Sequence, residues 1–381
     1  MNNESLIRRG HSSSADARTA ARELFASINQ PDAGLIVFFC SSLYEQPTLA
    51  EELSQLFGAV PLIGCTTAGE IGPAGYRSQS LVGVSFSREV VTVAVGAIGN
   101  LAGFEIGSGH QFAKDLLREL ESRSPQVSLD NTFAFLLIDG LSVREEPVVR
   151  AMQTGLGGMP LIGGSAGDDL RFSQTCVFHN GAFHTDSAVL ALVSTPLPFV
   201  AFKTQHFVSE GERLVVTEAD VANRIVKEIN GLPAAEEYAR VINSAVDQLS
   251  PAHFAAAPVV VHIDGADYVR SIQSANADGS LTFFCAIDEG LVLRVARGRD
   301  LLGNLERMLT EVRRTIGSPQ LIFGCDCILR NLEMGQSGLL EAVGQLLEAN
   351  NTVGFSTYGE QYGGVHVNQT FTGIAIGEMH E

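Results

Sequence analysis

Basic residues are scarce in this chain. Lys and Arg number 25 against 43 Asp and Glu, a formal net charge of −18. Such a surface excludes partners that select basic patches, namely nucleic acid and anionic membrane surfaces. Long apolar runs are missing too. None approaches the roughly 20 residues of a membrane-spanning helix, and the longest, 188–202, is broken by Pro196 and Pro198. No apolar leader core opens the chain, so a cytoplasmic location is expected. The P-loop pattern G-x-x-x-x-G-K-[ST] and H-E-x-x-H are both absent. Gly107 and Gly109 begin a G-x-G-x-x-G that Phe112 leaves incomplete. No C-x-x-C-H exists, which excludes covalent c-type haem. The six cysteines are scattered through predicted strands and turns and read as reduced, buried thiols. Cys325 and Cys327 share one strand face, but their spacing is no zinc signature.

What is present is a repeat. Pro61-Leu62-Ile63-Gly64-Cys65-Thr66-Thr67-Ala68-Gly69-Glu70 is echoed by Pro160-Leu161-Ile162-Gly163-Gly164-Ser165-Ala166-Gly167-Asp168. A third copy is Val353-Gly354-Phe355-Ser356-Thr357-Tyr358-Gly359-Glu360. Each holds apolar residues, a Gly, a hydroxyl, a second Gly and an acid. Such a turn can bind a polar ligand or simply hold a loop together. Each copy follows an apolar strand and a helical pattern: 35–40 with 47–58, 133–139 with 143–155, and 321–324 with 337–349. Strand, helix, strand is the βαβ unit, which wants a parallel pair with a right-handed crossover. The copies lie about 100 and then about 200 residues apart, which reads as a duplicated α/β design and not a short-period solenoid.

The expected fold class is therefore α/β, with duplicated βαβ-containing units forming two mixed-sheet domains. Residues 1–20 read as a flexible N-terminal tail, with a helix from about 15 to 28. The first domain is placed at 21–208 and the second at 209–381. Helices are expected at 220–229 and 234–246. Asn180-Gly181, inside Cys176 to His184, predicts a type I′ hairpin.

Gly163-Gly164-Ser165-Ala166-Gly167 matches G-x-S-x-G, the nucleophile elbow of an acyl hydrolase. That elbow needs a helix directly after the Ser. Here Asp168-Asp169 and a β-like stretch follow, so a structural turn or part of a ligand loop is the better reading, and no enzyme is expected. Strand alternation ranks the histidines as metal ligands. His179 and His184 share the solvent face of the hairpin. His262 sits in a strand apolar on both faces and reads as a core His. His366 alternates with Asn368 and Thr370 on a polar face near the third loop. His206 shares the apolar face with Val200, Phe202 and Thr204, which makes it the first ligand candidate by position.

Taken together, Ile63 to Glu70, Gly163 to Asp168, Asn230-Gly231-Leu232-Pro233-Ala234, Gly354 to Glu360 and Val367-Asn368-Gln369-Thr370 resemble the FIST family, sensory proteins with FIST N and FIST C domains. The resemblance runs from about residue 20 to 378. Val216 to Val241, Cys325 to Arg330 and Gly354 to Gly373 are similar to its nitric-oxide-sensing haem branch. It implies non-covalent haem b, nitric oxide as ligand, and a partner histidine kinase in a two-component system acting on cyclic-di-GMP and biofilm behaviour. The resemblance carries over no axial ligand, and strand alternation supplies the candidates for it: His206, His262 and His366. The alternative is a module that senses another small ligand, such as an amino acid. Thr66, Glu70, Ser165, Asp168, Ser356, Tyr358, Glu360 and Asn368 would then form the ligand loops. A homodimer is the expected assembly.

Overall fold

Three six-stranded mixed sheets form the body of the protein, and one antiparallel sheet is inserted into it. The structure is a computed structural model and describes residues 6–263 and 266–379. Each of the three sheets is built on one parallel pair. These pairs are Ala33–Ser41 with Leu62–Thr67, Thr132–Ile138 with Leu161–Ser165, and Leu321–Cys327 with Thr352–Thr357. The strands are apolar on both faces because both faces are covered. Helices lie outside: Ala17–Ile28 and Gln46–Phe57, then Ile106–Arg123 and Glu145–Leu156, then Leu301–Ile316, Ile328–Gln336 and Leu340–Ala349. The inner faces of all three sheets share one core, in which Phe39 stacks on Phe355 at 4.4 Å and Phe135 lies 4.2 Å from Phe323.

The repeated Gly has a steric cause. Gly64, Gly163 and Gly354 occupy the same register position in the three sheets. At each, a Cβ would run into a carbonyl oxygen of the parallel neighbour, that of Phe38, Leu136 or Gly324. The parallel strands approach too closely there for any side chain.

Each repeated turn is a crossing point. The hairpin that follows it leaves its own sheet and joins another. Glu70–Gly72 with Gly75–Arg77 adds to the third sheet, Val177–His179 with Ala182–His184 to the first, and Glu360–Tyr362 with Val365–Val367 to the second. The exchange closes on itself. The duplicated design expected from sequence is thus a cyclic arrangement of three units, and sheets are shared between the two halves of the chain.

The expected hairpin turns at Asn180 (φ 49°) and Gly181 (φ 80°), the positive-φ pair of a type I′ turn. Two expectations are corrected. The N-terminal tail is not loose throughout: Ile7–Ser12 is an edge strand paired with Leu81–Ser87, while residues 1–5 lie outside the described ones. The helix expected at 220–229 is a short 3-10 turn at Val221–Asn223 followed by the strand Ile225–Ile229. Asp220 caps the Asn223 amide, and Arg224 then adopts a left-handed backbone (φ 56°) that a helix cannot continue through.

The inserted sheet runs from Phe207–Asp220 to Val292–Gly298 and carries its own core around Tyr238, Phe254 and Phe283. It leaves the body after Phe199–Thr204 and returns before Leu301–Ile316. Its Ala255 and Phe284 pack against Ala68 and Tyr358 of two of the turns and against Cys327 at the end of a parallel strand.

Candidate functional site

The three turns form a hydrogen-bonded hub. Thr66 accepts from the Gly167 amide and donates to the Cys176 carbonyl. Ser165 accepts from the Tyr358 amide and donates to Gly359. Ser356 accepts from the Ala68 amide and donates to Gly69. Thr66, Ser165 and Ser356 are therefore equivalent, as are Gly69, Cys176 and Gly359. Residues 168–175 are an insertion peculiar to the second unit. This corrects the sequence alignment: Asp168 does not correspond to Glu70 and Glu360, whose place Val177 takes.

Most of the loop candidates are consumed by the fold. Thr67 donates to Glu70 Oε1 at 2.5 Å, and the Ser80 amide and hydroxyl donate to Oε2 at 3.1 and 2.7 Å. Thr357 donates to Glu360 Oε1, and the Thr370 amide and hydroxyl donate to Oε2 at 3.2 and 2.7 Å. Burial raises Glu70 to about 7 and Glu360 to about 8, against these same hydrogen bonds. Asp168 accepts from the Phe172, Ser173 and Gln174 amides, the Ser173 hydroxyl and the Tyr358 hydroxyl. Burial alone would raise it, but these donors outweigh that and hold it low. Tyr358 also accepts from the Leu170 amide at 2.8 Å, and Thr66 Oγ1 from the Cys176 amide at 3.0 Å. Ser165 Oγ accepts from Gln361 Nε2 at 3.0 Å. No helix follows Ser165, and its hydroxyl has no base beside it in these contacts. Ser356 Oγ is buried and unpartnered.

A different group of side chains is left with free polar atoms. Asn368, 1% exposed, has neither Oδ1 nor Nδ2 engaged, and His366, also 1% exposed, has Nε2 free. Both lie against Gly359, where a Cβ would come within 2.6 Å of Nε2 and 2.9 Å of Nδ2. His366 pairs across the hairpin with Gln361, whose amide nitrogen is 3.4 Å from Nδ1 and whose Oε1 is free. Buried polar atoms without partners are uncommon in folded proteins, and here they converge.

Charged residues from two other elements act on His366. Glu145 and Glu146 open the helix Glu145–Leu156 and both bind Arg224 Nη2, the former at 2.6 Å. Arg224 comes from the inserted sheet and also donates to the Phe284 carbonyl at 2.6 Å, while the Ala286 amide donates to Glu146 at 2.6 Å. Burial pushes Glu146 up, but His366, Arg224 and that amide outweigh it and leave it low. Burial lowers His366, and the Glu146 and Glu145 carboxylates offset part of that shift. Glu145, Glu146, Arg224 and Gln361 were missed by sequence reasoning. Gly363-Gly364 was a hairpin signal that would have paired Gln361 with His366. Nothing local could have brought Arg224 there.

The other histidines are placed elsewhere. His206 has partners on both ring nitrogens. Its Nε2 is 2.8 and 2.9 Å from the Glu333 carboxylate and its Nδ1 is 3.1 Å from Arg330, which in turn binds Asp326. His262 is corrected from core to surface: its side chain is 59% exposed and paired with Asp267 at 2.8 Å. Haem needs an axial nitrogen beside an apolar slot. His206 has both nitrogens engaged, His262 is exposed, and the free nitrogen of His366 sits among amides and charges. The three candidates do not fit the group. Among the described residues, no set of three or more His, Cys, Asp and Glu is placed to hold a metal ion. His179 and His184 stack at 4.0 Å, half-buried, on the first sheet's hairpin. No helix among the described residues is long and apolar enough to cross a membrane.

The FIST N domain matches residues 34–232 and the FIST C domain residues 234–363. An uncharacterized protein of Methanocaldococcus jannaschii is 22% identical over 214 residues, 55% of this chain. The chain spans only 41% of the length of that relative. Among solved structures, a cyanuric acid hydrolase covers 97% of the chain at 10% identity and TM-score 0.35, matching 99% of its own length. A second, from A. caulinodans, covers 98% at 9% identity and TM-score 0.37, again over 99% of its length. This finding corrects the expectation that the chain is no enzyme, because the solved proteins it resembles are hydrolases. At these TM-scores the likeness transfers no substrate, residue role or activity.

Proposed function

The chain belongs to the FIST family, whose domains are sensory, ligand-binding signalling modules, and on that premise we propose that it senses a small polar ligand, such as an amino acid, at the buried group around His366 and Asn368. One observation carries this reading: Asn368 is 1% exposed with both side-chain polar atoms free, next to the free Nε2 of His366. A ligand that meets these atoms recovers hydrogen bonds the fold leaves unmade. The recognition groups come from the second and third units, and the inserted sheet covers them. Entry therefore requires that sheet to move at its two connections to the body, 205–206 and 299–300. That movement is the change a signalling partner reads.

The test is a thermal-shift and calorimetric screen of small polar metabolites against the wild type, Asn368→Ala and His366→Ala. Binding should raise Tm in the wild type and weaken at least tenfold in both variants. A screen in which the variants bind as well as the wild type removes the site from the reading. The narrower reading, a haem-based nitric oxide sensor acting on a histidine kinase, rests on the resemblance alone. Titrating haem and recording the Soret band tests it, and a stoichiometric band that His206→Ala abolishes would favour it over the polar site.

A further inference from the structure

Among the described residues, Arg270 is a cation without a counter-ion. It ends the strand Ala266–Arg270 on the border of the inserted sheet, its Nε is buried and unbonded, and it forms no ion pair among the described residues. Alternation puts Arg270 on the same strand face as Tyr268, opposite the buried Val269. That face borders the hairpin that carries His366. The strand Ala266–Arg270 packs against Val365–Val367, the strand that holds His366, while the Lys203 amine, 5.3 Å from the Tyr268 ring and 5.7 Å from that of Tyr362, closes the other face of the hairpin. Arg270 also adds to the field that disfavours protonation of His366. The neighbouring residue, Ser271, is fully buried with a free hydroxyl. Arg224, by contrast, is already bound to two carboxylates.

We infer that the ligand of the His366 and Asn368 site carries a carboxylate and that Arg270 binds it, with Asn368 donating to the same end of the molecule. This rests on the site proposed above and narrows its ligand to a chemical class. A guanidinium matches a carboxylate with two parallel N–H bonds, and in a partly desolvated setting that contact is stronger than a neutral hydrogen bond. An uncharged relative of the same shape would leave Arg270 unpaired as before.

The experiment titrates acetate, pyruvate and the L-amino acids, each beside its primary amide, into the wild type, Arg270→Gln and Arg270→Lys, by calorimetry. Each variant's fold is checked by its unfolding curve. A bound acid should exceed its amide at least tenfold. Arg270→Gln should weaken the acid ten- to a hundredfold without changing the amide, and Arg270→Lys should restore part of the loss. Equal binding of acid and amide, or acid binding unchanged in Arg270→Gln, overturns the carboxylate assignment while leaving the site. If no acid or amide binds the wild type at millimolar concentration, both fail together.

Discussion

Glu70 and Glu360 are structural twins. Each is fully buried at the end of the shared core, each accepts from a Thr three residues before it, and each accepts from the amide and hydroxyl of a residue ten positions on. The second unit has Ala166 and Val177 in the places of Thr and Glu, so the carboxyl is not needed to build the turn. Its pKa makes it a burden at neutral pH. Burial raises Glu70 to about 7 and Glu360 to about 8, above the ~4.3 of an unfolded Glu. Between those values the folded state binds more protons than the unfolded, so stability falls as pH rises. The expected loss from pH 5 to pH 8 is on the order of a few kcal/mol for the pair. Urea unfolding at four pH values should show it, with a shallower fall in Glu70→Gln and Glu360→Gln. An unchanged slope in both would mean the carboxyls ionise normally.

His366 acts in the opposite direction. Its pKa is lowered by burial, so the neutral ring contributes stability that is present above the unfolded value of about 6.5 and lost as pH falls through the folded one. His366→Gln should therefore retain more of its stability between pH 6 and pH 4 than the wild type does. Ring proton shifts followed by NMR give a direct check, because a midpoint at or above 6.5 contradicts the burial.

Gly359 keeps the candidate site open. A Cβ there would displace His366 and Asn368, which should cost about 1–3 kcal/mol as overpacking and remove ligand binding. Gly107→Ala is the control. Its Cβ meets nothing within 4 Å, so it should be neutral or stabilise by up to about 1 kcal/mol. Melting curves and the binding screen on the two variants separate a specific effect from a general loss of glycine.

Arg224 neutralises two carboxylates at once, and its side chain is 6% exposed. Arg224→Met leaves Glu145 buried without its partner, with an expected loss of about 3–5 kcal/mol. Adding Glu145→Gln and Glu146→Gln should return a large part of it, since the cost lies in the stranded charge more than in the lost attraction. If the triple variant is no more stable than the single one, the destabilisation comes from lost packing of the Arg224 stem.

The parallel pairs and their glycines could be read from sequence because both causes are local. Burial on both faces makes a strand apolar throughout, and close approach admits only Gly. The polar face of His366, Asn368 and Thr370 was also visible from alternation. His206 misled because alternation shows a face and not its occupant: Glu333 and Arg330, from the helix Ile328–Gln336, meet it with opposite charges. Arg224 and Arg270 were invisible as site residues because the inserted sheet carries them over the hub through long-range contacts. The choice of sheet that each hairpin joins has no local signature either.

That exchange makes the two halves interdependent. The hairpin Glu70–Arg77 belongs to the third sheet, where Tyr76 donates to Asp326 at 2.6 Å with both side chains buried. The second sheet takes Glu360–Val367 from the other end of the chain. A fragment ending at residue 205 would keep the first sheet whole. It would expose the inner face of that sheet where Phe323 and Phe355 now cover Phe39, and would leave the strand Leu161–Ser165 as an open edge, a template for aggregation. The expected result is a fragment without a cooperative unfolding transition, restored when residues 206–381 are co-expressed with it. Chemical denaturation of the separate and joined halves is the measurement. A sharp two-state transition in the isolated fragment would show that its first sheet and helices suffice, and that the exchanged hairpins only decorate domains able to fold alone.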